Sequence, residues 1–174
     1  MTLNIRILSI RVMQLGEGVE WALHCCTVLA LVPPDRTMPA ARLAEFHQVP
    51  PTYLAKHLQA LAQAGIVEAL PGRKGGYRLA RPVADISLLD VVEAVDGDAS
   101  TFQCTEIRRR GPAALPAREY TVPCGIHRAM DRADAAWRAE LARTTIADLL
   151  GTLAESVSPV AVRKAAAWYQ EAMR

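Results

Sequence analysis

The stretch PTYLAKHLQALAQAGIVEALPGRKGGYRLA, Pro51–Ala80, decides the fold of this chain. Its first half predicts a helix over Pro51–Ala64 with one apolar face, because leucines recur there at helical spacing. These leucines are Leu54, Leu58 and Leu61. Gly65 is predicted to end the helix in a left-handed conformation. Ile66–Leu70 and Tyr77–Ala80 then predict two short strands, joined by the glycine-rich turn PGRKGG into a hairpin.

Helical periodicity also predicts helices on either side of this stretch. Val19–Leu31 carries apolar residues at helical spacing, and a short helix follows from residue 37 or 38 to Phe46. After the hairpin, SLLDVVEAV predicts a helix that Ser87 opens, with Asp90 three residues on in a capping pattern. Asp96–Pro123 has no clear period and contains several glycines and prolines, so we expect a long loop with a function or with disorder.

Two more helices are predicted in the C-terminal part. From Cys124 to about Ala154, apolar residues step by three and four, as along a coiled-coil seam. Ser158 and Pro159 start a final helix. The predicted fold class is therefore mostly α with a small β-hairpin. The order helix, short helix, turn, helix, hairpin is typical of a winged helix-turn-helix.

Composition limits the classes of protein that remain. The chain has 174 residues, 51% of them hydrophobic, and a net charge of only +2, so a basic footprint for nucleic acid has to be local. No run approaches the roughly 20 apolar residues that a membrane span needs, and we do not expect the first residues to be a secretory signal. We expect a cytoplasmic protein with reduced cysteines, and residues 1–12 as a dispensable leader. The sequence shows neither a phosphate-binding loop nor a nucleophile–base pair, so it does not favour an enzyme.

The face of the third helix opposite its leucines is the candidate DNA-reading surface. Its side chains can hydrogen-bond to phosphates or base edges: Thr52, Tyr53, Lys56, Gln59 and Gln63. Arg73 and Lys74 lie between glycines at the tip of the hairpin, where a thin turn can approach the sugar-phosphate backbone. A solvated basic hairpin is the alternative, but the order of the elements favours binding to double-stranded DNA.

Cys104 and Cys124 are the candidate metal ligands, since they bracket the irregular loop. Cys124 lies at the start of a predicted helix, whose positive dipole end favours the thiolate. Two thiolates suit an iron–sulfur or a zinc site, but they do not complete one. In the stretch GVEWALHCC, Glu20 and His24 stand one helical turn apart on one face and are candidate further ligands. The alternative is that neither binds metal: His24 is then a hydrogen-bonded core residue, and Glu20 is an exposed charge.

Cys25, Cys26, His47 and His57 are not predicted as metal ligands. Cys25 and Cys26 are predicted to be small buried hydrophobic residues, facing the core and a neighbouring subunit. His47 and His57 lie in the predicted DNA-binding helices, and neither has a partner at metal-ligand spacing.

Four segments together resemble the iron–sulfur cluster regulator family of bacterial transcription factors, which includes IscR, NsrR and RsrR. They are YLAKHLQAL, AGIV, GRKGGYRLAR and ISLLDVVEAVDG, and the resemblance extends over about Gly18–Leu150. It implies a homodimer, crossed through the long helix, that binds a dyad-symmetric operator and usually represses transcription. The family often uses three cysteines in the loop, whereas this chain has two.

The first helix is most similar to the RsrR redox-sensing branch. In that branch two cysteines of one subunit and a glutamate and a histidine of the other hold a 2Fe–2S cluster. Carried over to this chain, the ligands are Cys104, Cys124, Glu20 and His24. The ending Cys124-Gly-Ile-His127 resembles instead the ligand pattern of the IscR branch, which makes His127 the rival nitrogen ligand.

These expectations divide the chain into five parts. They are a leader over 1–12, a winged helix-turn-helix DNA-binding domain over 13–96, a cluster-binding loop over 97–123, a dimerisation helix over 124–154 and a C-terminal helix over 155–174. We predict a redox switch in which Trp21, between the two ligands of the first helix, changes rotamer or exposure with the oxidation state. Simple packing at the dimer interface is the alternative for Trp21.

Other functions remain open from the sequence. A winged-helix repressor without a cluster would sense thiol oxidation or a small ligand. A structural zinc site and a nitric-oxide sensor that acts by cluster loss are further alternatives.

Overall fold

A computed structural model describes residues 15–72, 75–100 and 102–173 of the chain. These residues form seven α-helices and one two-stranded antiparallel sheet. The elements are α1 (Glu17–Leu29), α2 (Ala40–His47), α3 (Pro51–Gln63), β1 (Val67–Leu70), β2 (Gly76–Leu79), α4 (Leu88–Asp96), α5 (Gly125–Arg143), α6 (Ile146–Ser156) and α7 (Pro159–Ala172). The predicted fold class, mostly α with a small β-hairpin, is confirmed. Residues 1–12, the predicted leader, lie outside the described residues.

The chain forms two compact units. The helical unit consists of Leu15–Asp98 with Trp137–Arg174, and the loop unit contains Ala99–Ala136. The helical unit holds the winged helix-turn-helix, and the loop unit holds the irregular segment with the first part of α5.

The core of the helical unit is built on the leucine face of α3. Leu54, Leu58 and Leu61 are fully buried, as their spacing predicts. They pack with Leu43 of α2 and with residues of α1, α4 and α6 in one apolar cluster. Each buried leucine contributes about 1.5–3 kcal/mol to folding, so this face fixes the position of α3.

The hairpin formed by β1 and β2, called the wing below, is held to the helices by its second strand. Tyr77 pairs with Met38, whose backbone N–H donates to the Tyr77 carbonyl at 2.9 Å. Within the wing Glu68 pairs with Arg78, and their side chains form an ion pair at 2.8 Å. Gly65 adopts the left-handed conformation that the sequence predicts, with φ of +66°. Arg73 and Lys74, at the predicted tip of the wing, lie outside the described residues.

The prediction of one helix from Cys124 to about Ala154 is wrong, because the chain breaks between α5 and α6. Thr145 opens α6 with a capping box, in which its hydroxyl accepts from the Asp148 N–H and Asp148 accepts from the Thr145 N–H. The break is also held by pairing with the start of α4: the Leu88 N–H donates to the Thr144 carbonyl, and the Ile146 N–H donates to the Ile86 carbonyl. These bonds satisfy the backbone N–H and C=O groups that the end of α5 and the start of α6 leave without partners inside a helix.

Two further caps follow the sequence pattern. Ser87 and Asp90 form the predicted capping box at α4, and the Ser158 hydroxyl accepts from the Ala161 N–H at the start of α7. The position of α7 is less predictable: its Tyr169 hydroxyl donates to the Val28 carbonyl of α1 at 3.0 Å, and its Trp168 ring contacts Phe46 of α2. In the described part of the chain, no helix is both long and apolar enough to cross a membrane.

Candidate functional site

The outer face of α3 presents the predicted DNA-reading side chains to solvent. All five are exposed, with Tyr53 at 64%: Thr52, Tyr53, Lys56, Gln59 and Gln63. Their exposure confirms the predicted orientation of α3, while their contacts with DNA stay a prediction. A large aromatic ring left in solvent next to amide and ammonium groups is suited to contact bases and phosphates.

A tight turn joins α2 to α3 and completes the helix-turn-helix. Gln48 ends α2 in the left-handed conformation, with φ of 53°, and the Val49 N–H donates to the Ala44 carbonyl at 3.0 Å. Pro50 and Pro51 then start α3, where a missing N–H has no cost. With the wing directly after α3, this arrangement defines the class of winged helix-turn-helix DNA-binding proteins.

The first helix contacts the recognition helix α3 through an aromatic pair that the sequence does not reveal. The Trp21 ring of α1 meets the His57 ring of α3 edge-on, with centroids 6.0 Å apart. Burial and the charge of Lys56 lower the pKa of His57, which favours the neutral imidazole. A Cβ atom at Gly18 would lie 2.2 Å from a carbon of this ring. The absent side chain of Gly18 therefore makes room for His57.

We expect Gly18→Ala to lower the free energy of unfolding by about 1–3 kcal/mol, because the new methyl group forces His57 away from α1 and from Trp21. Urea unfolding of the purified protein measures this. Gly16→Ala is the matched control, since a Cβ atom there meets its nearest neighbour at an ordinary 3.5 Å. Equal stability of the two variants would contradict the close approach of His57.

The loop unit brings Cys104 and Cys124 together with Glu106. Their three ligand atoms, two Sγ and one carboxylate oxygen, all lie within 4.8 Å of one another. The backbone N–H groups of His127 and Ile126, at the start of α5, lower the pKa of the Cys124 thiol, as its place at a helix N-terminus predicts. The grouping of Glu106 with the two cysteines was not predicted.

Arg108 closes the loop around this group. Its Nε donates to Oε1 of Glu106 at 2.6 Å, and its Nη2 donates to Oε2 of Glu106 at 3.0 Å and to the Val122 carbonyl at 3.2 Å. The Tyr120 hydroxyl donates to the Arg108 carbonyl at 2.6 Å and accepts from the Leu115 N–H. Within the irregular segment, Arg108 and Tyr120 thus join residues 106–108 to residues 115–122 by polar bonds.

Glu20 and His24 lie on α1 in the helical unit, and both are exposed. The His47 ring is a neighbour of His24 that the sequence does not indicate, with ring centroids 5.5 Å apart. Nε2 of His47 is buried and has no hydrogen-bond partner among the described residues. Burial, with the nearby His24 as a further cause, lowers the pKa of His47. A metal shared by Glu20 and His24 with the cysteines stays a prediction.

His127, the rival ligand, lies in the loop unit near the start of α5. Its Nε2 is 3.4 Å from the Asp131 carboxylate, one helical turn on. Its Nδ1 is buried without a hydrogen-bond partner in the described segments. The group formed by the two cysteines and Glu106 does not include it, so its role as a ligand also stays a prediction.

Cys25 and Cys26 are fully buried in the core of the helical unit, as predicted. Burial raises the pKa of each thiol to about 12, which keeps both protonated at pH 7. A protonated thiol is neither a nucleophile nor a metal ligand. These two residues therefore act as small hydrophobic side chains.

Comparisons with known proteins agree with the winged-helix class. The model of the Rrf2 family, described as iron-dependent transcriptional regulator, matches residues 15–152. The chain is 31% identical to the HTH-type transcriptional regulator Rv1287 of Mycobacterium tuberculosis, over 86% of this chain and 89% of the relative. It is 38% identical to the HTH-type transcriptional regulator YwgB of Bacillus subtilis, over 52% of this chain, and it spans only 58% of the length of YwgB.

Among solved structures, CymR, described as the global cysteine regulator of B. subtilis, superposes with a TM-score of 0.62 over 81% of this chain and 98% of CymR. At 19% identity this likeness concerns the fold alone. The family match covers most of the chain and agrees with the winged helix-turn-helix fold. The chain belongs to the Rrf2 family of iron-dependent transcriptional regulators.

Proposed function

We propose that this chain is a cytoplasmic redox-sensing repressor that binds operator DNA as a homodimer and holds a 2Fe–2S cluster. The proposed ligands are Cys104 and Cys124 of one subunit, with Glu20 and His24 of the other. The proposal rests chiefly on the closeness of the Cys104 and Cys124 sulfurs, which lie within 4.8 Å of each other. The match to a family described as iron-dependent supports it further.

The donor set fits iron. Thiolates are the usual ligands of iron–sulfur clusters, and the backbone N–H groups at the start of α5 favour the thiolate of Cys124. With two loop cysteines rather than three, ligands of another type have to complete the set. A carboxylate and an imidazole on the exposed face of α1 are donors that iron accepts. When bound, the cluster would supply a one-electron redox centre, at a potential that histidine ligation raises.

The contact between Trp21 and His57 supports a route from α1 to the DNA-reading surface. Glu20 and His24 lie on the same helix as Trp21, whose ring touches α3. A change in how Glu20 and His24 are held would rotate or shift α1, and Trp21 would transmit the movement to α3. In a dimer on two half-sites, a shift of α3 alters the half-site spacing and lowers operator affinity.

The first test is the visible spectrum of protein purified without air. We expect broad absorption that bleaches on dithionite, about two iron atoms per chain, and tighter operator binding by the oxidised form. Iron-free, colourless protein from fresh anaerobic preparations would remove the cluster and leave the assignment as a DNA-binding regulator intact.

Subunit mixing tests the proposed sharing of ligands. A variant without the loop thiols (Cys104→Ser, Cys124→Ser) and a variant without the helix ligands (Glu20→Gln, His24→Ala) are each expected to lack the cluster. Refolded together, they form some heterodimers in which one site has all four ligands, so about half of the cluster per heterodimer returns. No recovery of iron absorption in the mixture would contradict ligation across the dimer.

Thiol oxidation without a cluster is the second candidate, and the closeness of the two sulfurs favours it. Both Sγ atoms belong to a group within 4.8 Å, and the Cys124 thiol pKa is lowered. Peroxide would oxidise one thiolate to a sulfenic acid, and the other thiol would displace water to form a disulfide. This candidate predicts colourless protein with a reversible Cys104–Cys124 disulfide, which mass spectrometry after alkylation detects.

A further inference from the structure

We propose that Cys104, Cys124 and Glu106 of a single chain form a binding site for one thiophilic divalent cation of the Zn²⁺ class, with Glu106 as the third ligand. This site uses the cysteines of the proposed function, but it needs neither Glu20 and His24 nor a second subunit. An iron-poor chain would therefore take up a single colourless ion in the same loop.

The spacing of the three donor atoms suits one ion. Zinc binds thiolate sulfur and carboxylate oxygen at about 2.0–2.3 Å, so two ligands of a tetrahedral ion lie roughly 3.5–3.8 Å apart. The donor atoms of Cys104, Glu106 and Cys124 all lie within 4.8 Å of one another. A closing movement of up to about 1.3 Å, within reach of a side-chain rotation, completes the contacts. The fourth position stays open to water or to an external thiol.

Charge balance also favours a divalent ion at this place. Two thiolates and one carboxylate carry three negative charges, and a divalent ion with the guanidinium of Arg108 supplies three positive ones. Arg108 already holds both carboxylate oxygens of Glu106, at 2.6 and 3.0 Å. On binding, one oxygen turns to the ion and the other keeps its bond to Arg108, as carboxylate ligands of metals commonly do. The two thiol protons pass to the solvent.

The backbone conformation places Glu106 beside the two sulfurs. Its φ of 50° lies in the left-handed region, which few residues with a side chain adopt. The turn that follows, Ile107–Arg109, returns Arg108 to the carboxylate, and the bond from Tyr120 to the Arg108 carbonyl fixes that turn. The turn and the ion pair with Arg108 therefore hold the Glu106 carboxylate beside the two sulfurs.

Cobalt titration of the full-length, reduced, metal-free protein tests the site, with Co²⁺ as the spectroscopic probe for Zn²⁺. We expect one Co²⁺ per chain, thiolate-to-cobalt charge-transfer absorption, and the visible bands of a tetrahedral ion. Glu106→Gln is expected to weaken binding about tenfold or more, since it removes an anionic ligand of the same shape. Glu119→Gln is the matched control, because Glu119 lies in the same loop and pairs with Arg118 instead.

A second variant separates ligation from support of the loop. Arg108→Gln breaks the same ion pair as Glu106→Gln but keeps the carboxylate, so it should weaken Co²⁺ binding less. Equal losses in the two variants, or unchanged affinity in Glu106→Gln, would overturn the ligand role of Glu106. One Co²⁺ per two chains, or an equal loss in Glu20→Gln and His24→Ala, would overturn the single-chain site. The cluster is judged separately, from the spectrum of protein that has kept its iron.

Discussion

Cys124→Ser is expected to yield a folded protein that has lost its iron and the redox control of operator binding. A serine hydroxyl in this position can still accept from the backbone N–H groups of His127 and Ile126, so the start of α5 is preserved. The hydroxyl does not ionise at neutral pH, however, and iron requires the thiolate. The substitution therefore removes the ligand without removing the cap.

Three measurements together check this result. Iron and sulfide content should fall from about two per chain to near zero, thermal unfolding should stay within a few degrees of wild type, and operator affinity should no longer change with dithionite. Cys25→Ala is the matched control, because its buried thiol stays protonated and should leave the iron content unchanged. Wild-type iron in Cys124→Ser would contradict the assignment of Cys124.

The elements that the sequence predicted correctly are those specified by local signals. The leucines of α3 bury as one face because their spacing follows the helical period, and Ser87 with Asp90 caps α4 within four residues. The same kind of signal was available at Thr145 and Asp148. The apolar seam, however, runs across this signal and favours one long helix, whereas pairing of this segment with Ile86 and Leu88 ends α5.

The parts of the candidate site that the sequence did not predict all depend on contacts between distant residues or on unusual backbone. His24 meets His47 and Trp21 meets His57 only because α1 packs against α2 and α3. No sequence pattern demands a left-handed glutamate, so Glu106 was not a candidate. The lowered pKa at Cys124, in contrast, follows from a helix N-terminus that the sequence does indicate.

The double variant Tyr53→Ala, Gln59→Ala is expected to abolish specific operator binding without affecting iron content or stability. Both side chains are exposed on α3 and lie outside the apolar core, so their loss leaves the fold unchanged. A good base contact is worth about 1–3 kcal/mol, so two lost contacts reduce affinity by about 30-fold to 20,000-fold. Lys56→Ala should instead weaken binding to all sequences alike and lower the salt slope by about one, as loss of a phosphate contact does.

Binding is measured by fluorescence anisotropy on an operator selected from random DNA, at several salt concentrations. Gln170→Ala is the control, since it makes the same exchange at an exposed position of α7. If wild-type affinity persisted in the double variant, α3 would not be the reading helix, and another surface of the winged domain would contact the DNA. We expect the double variant to lose operator binding and keep its iron, and Cys124→Ser to lose its iron and keep its fold. Together these results would show that DNA reading and redox sensing depend on different residues. The contact from Trp21 to His57 would then be the first candidate for their coupling.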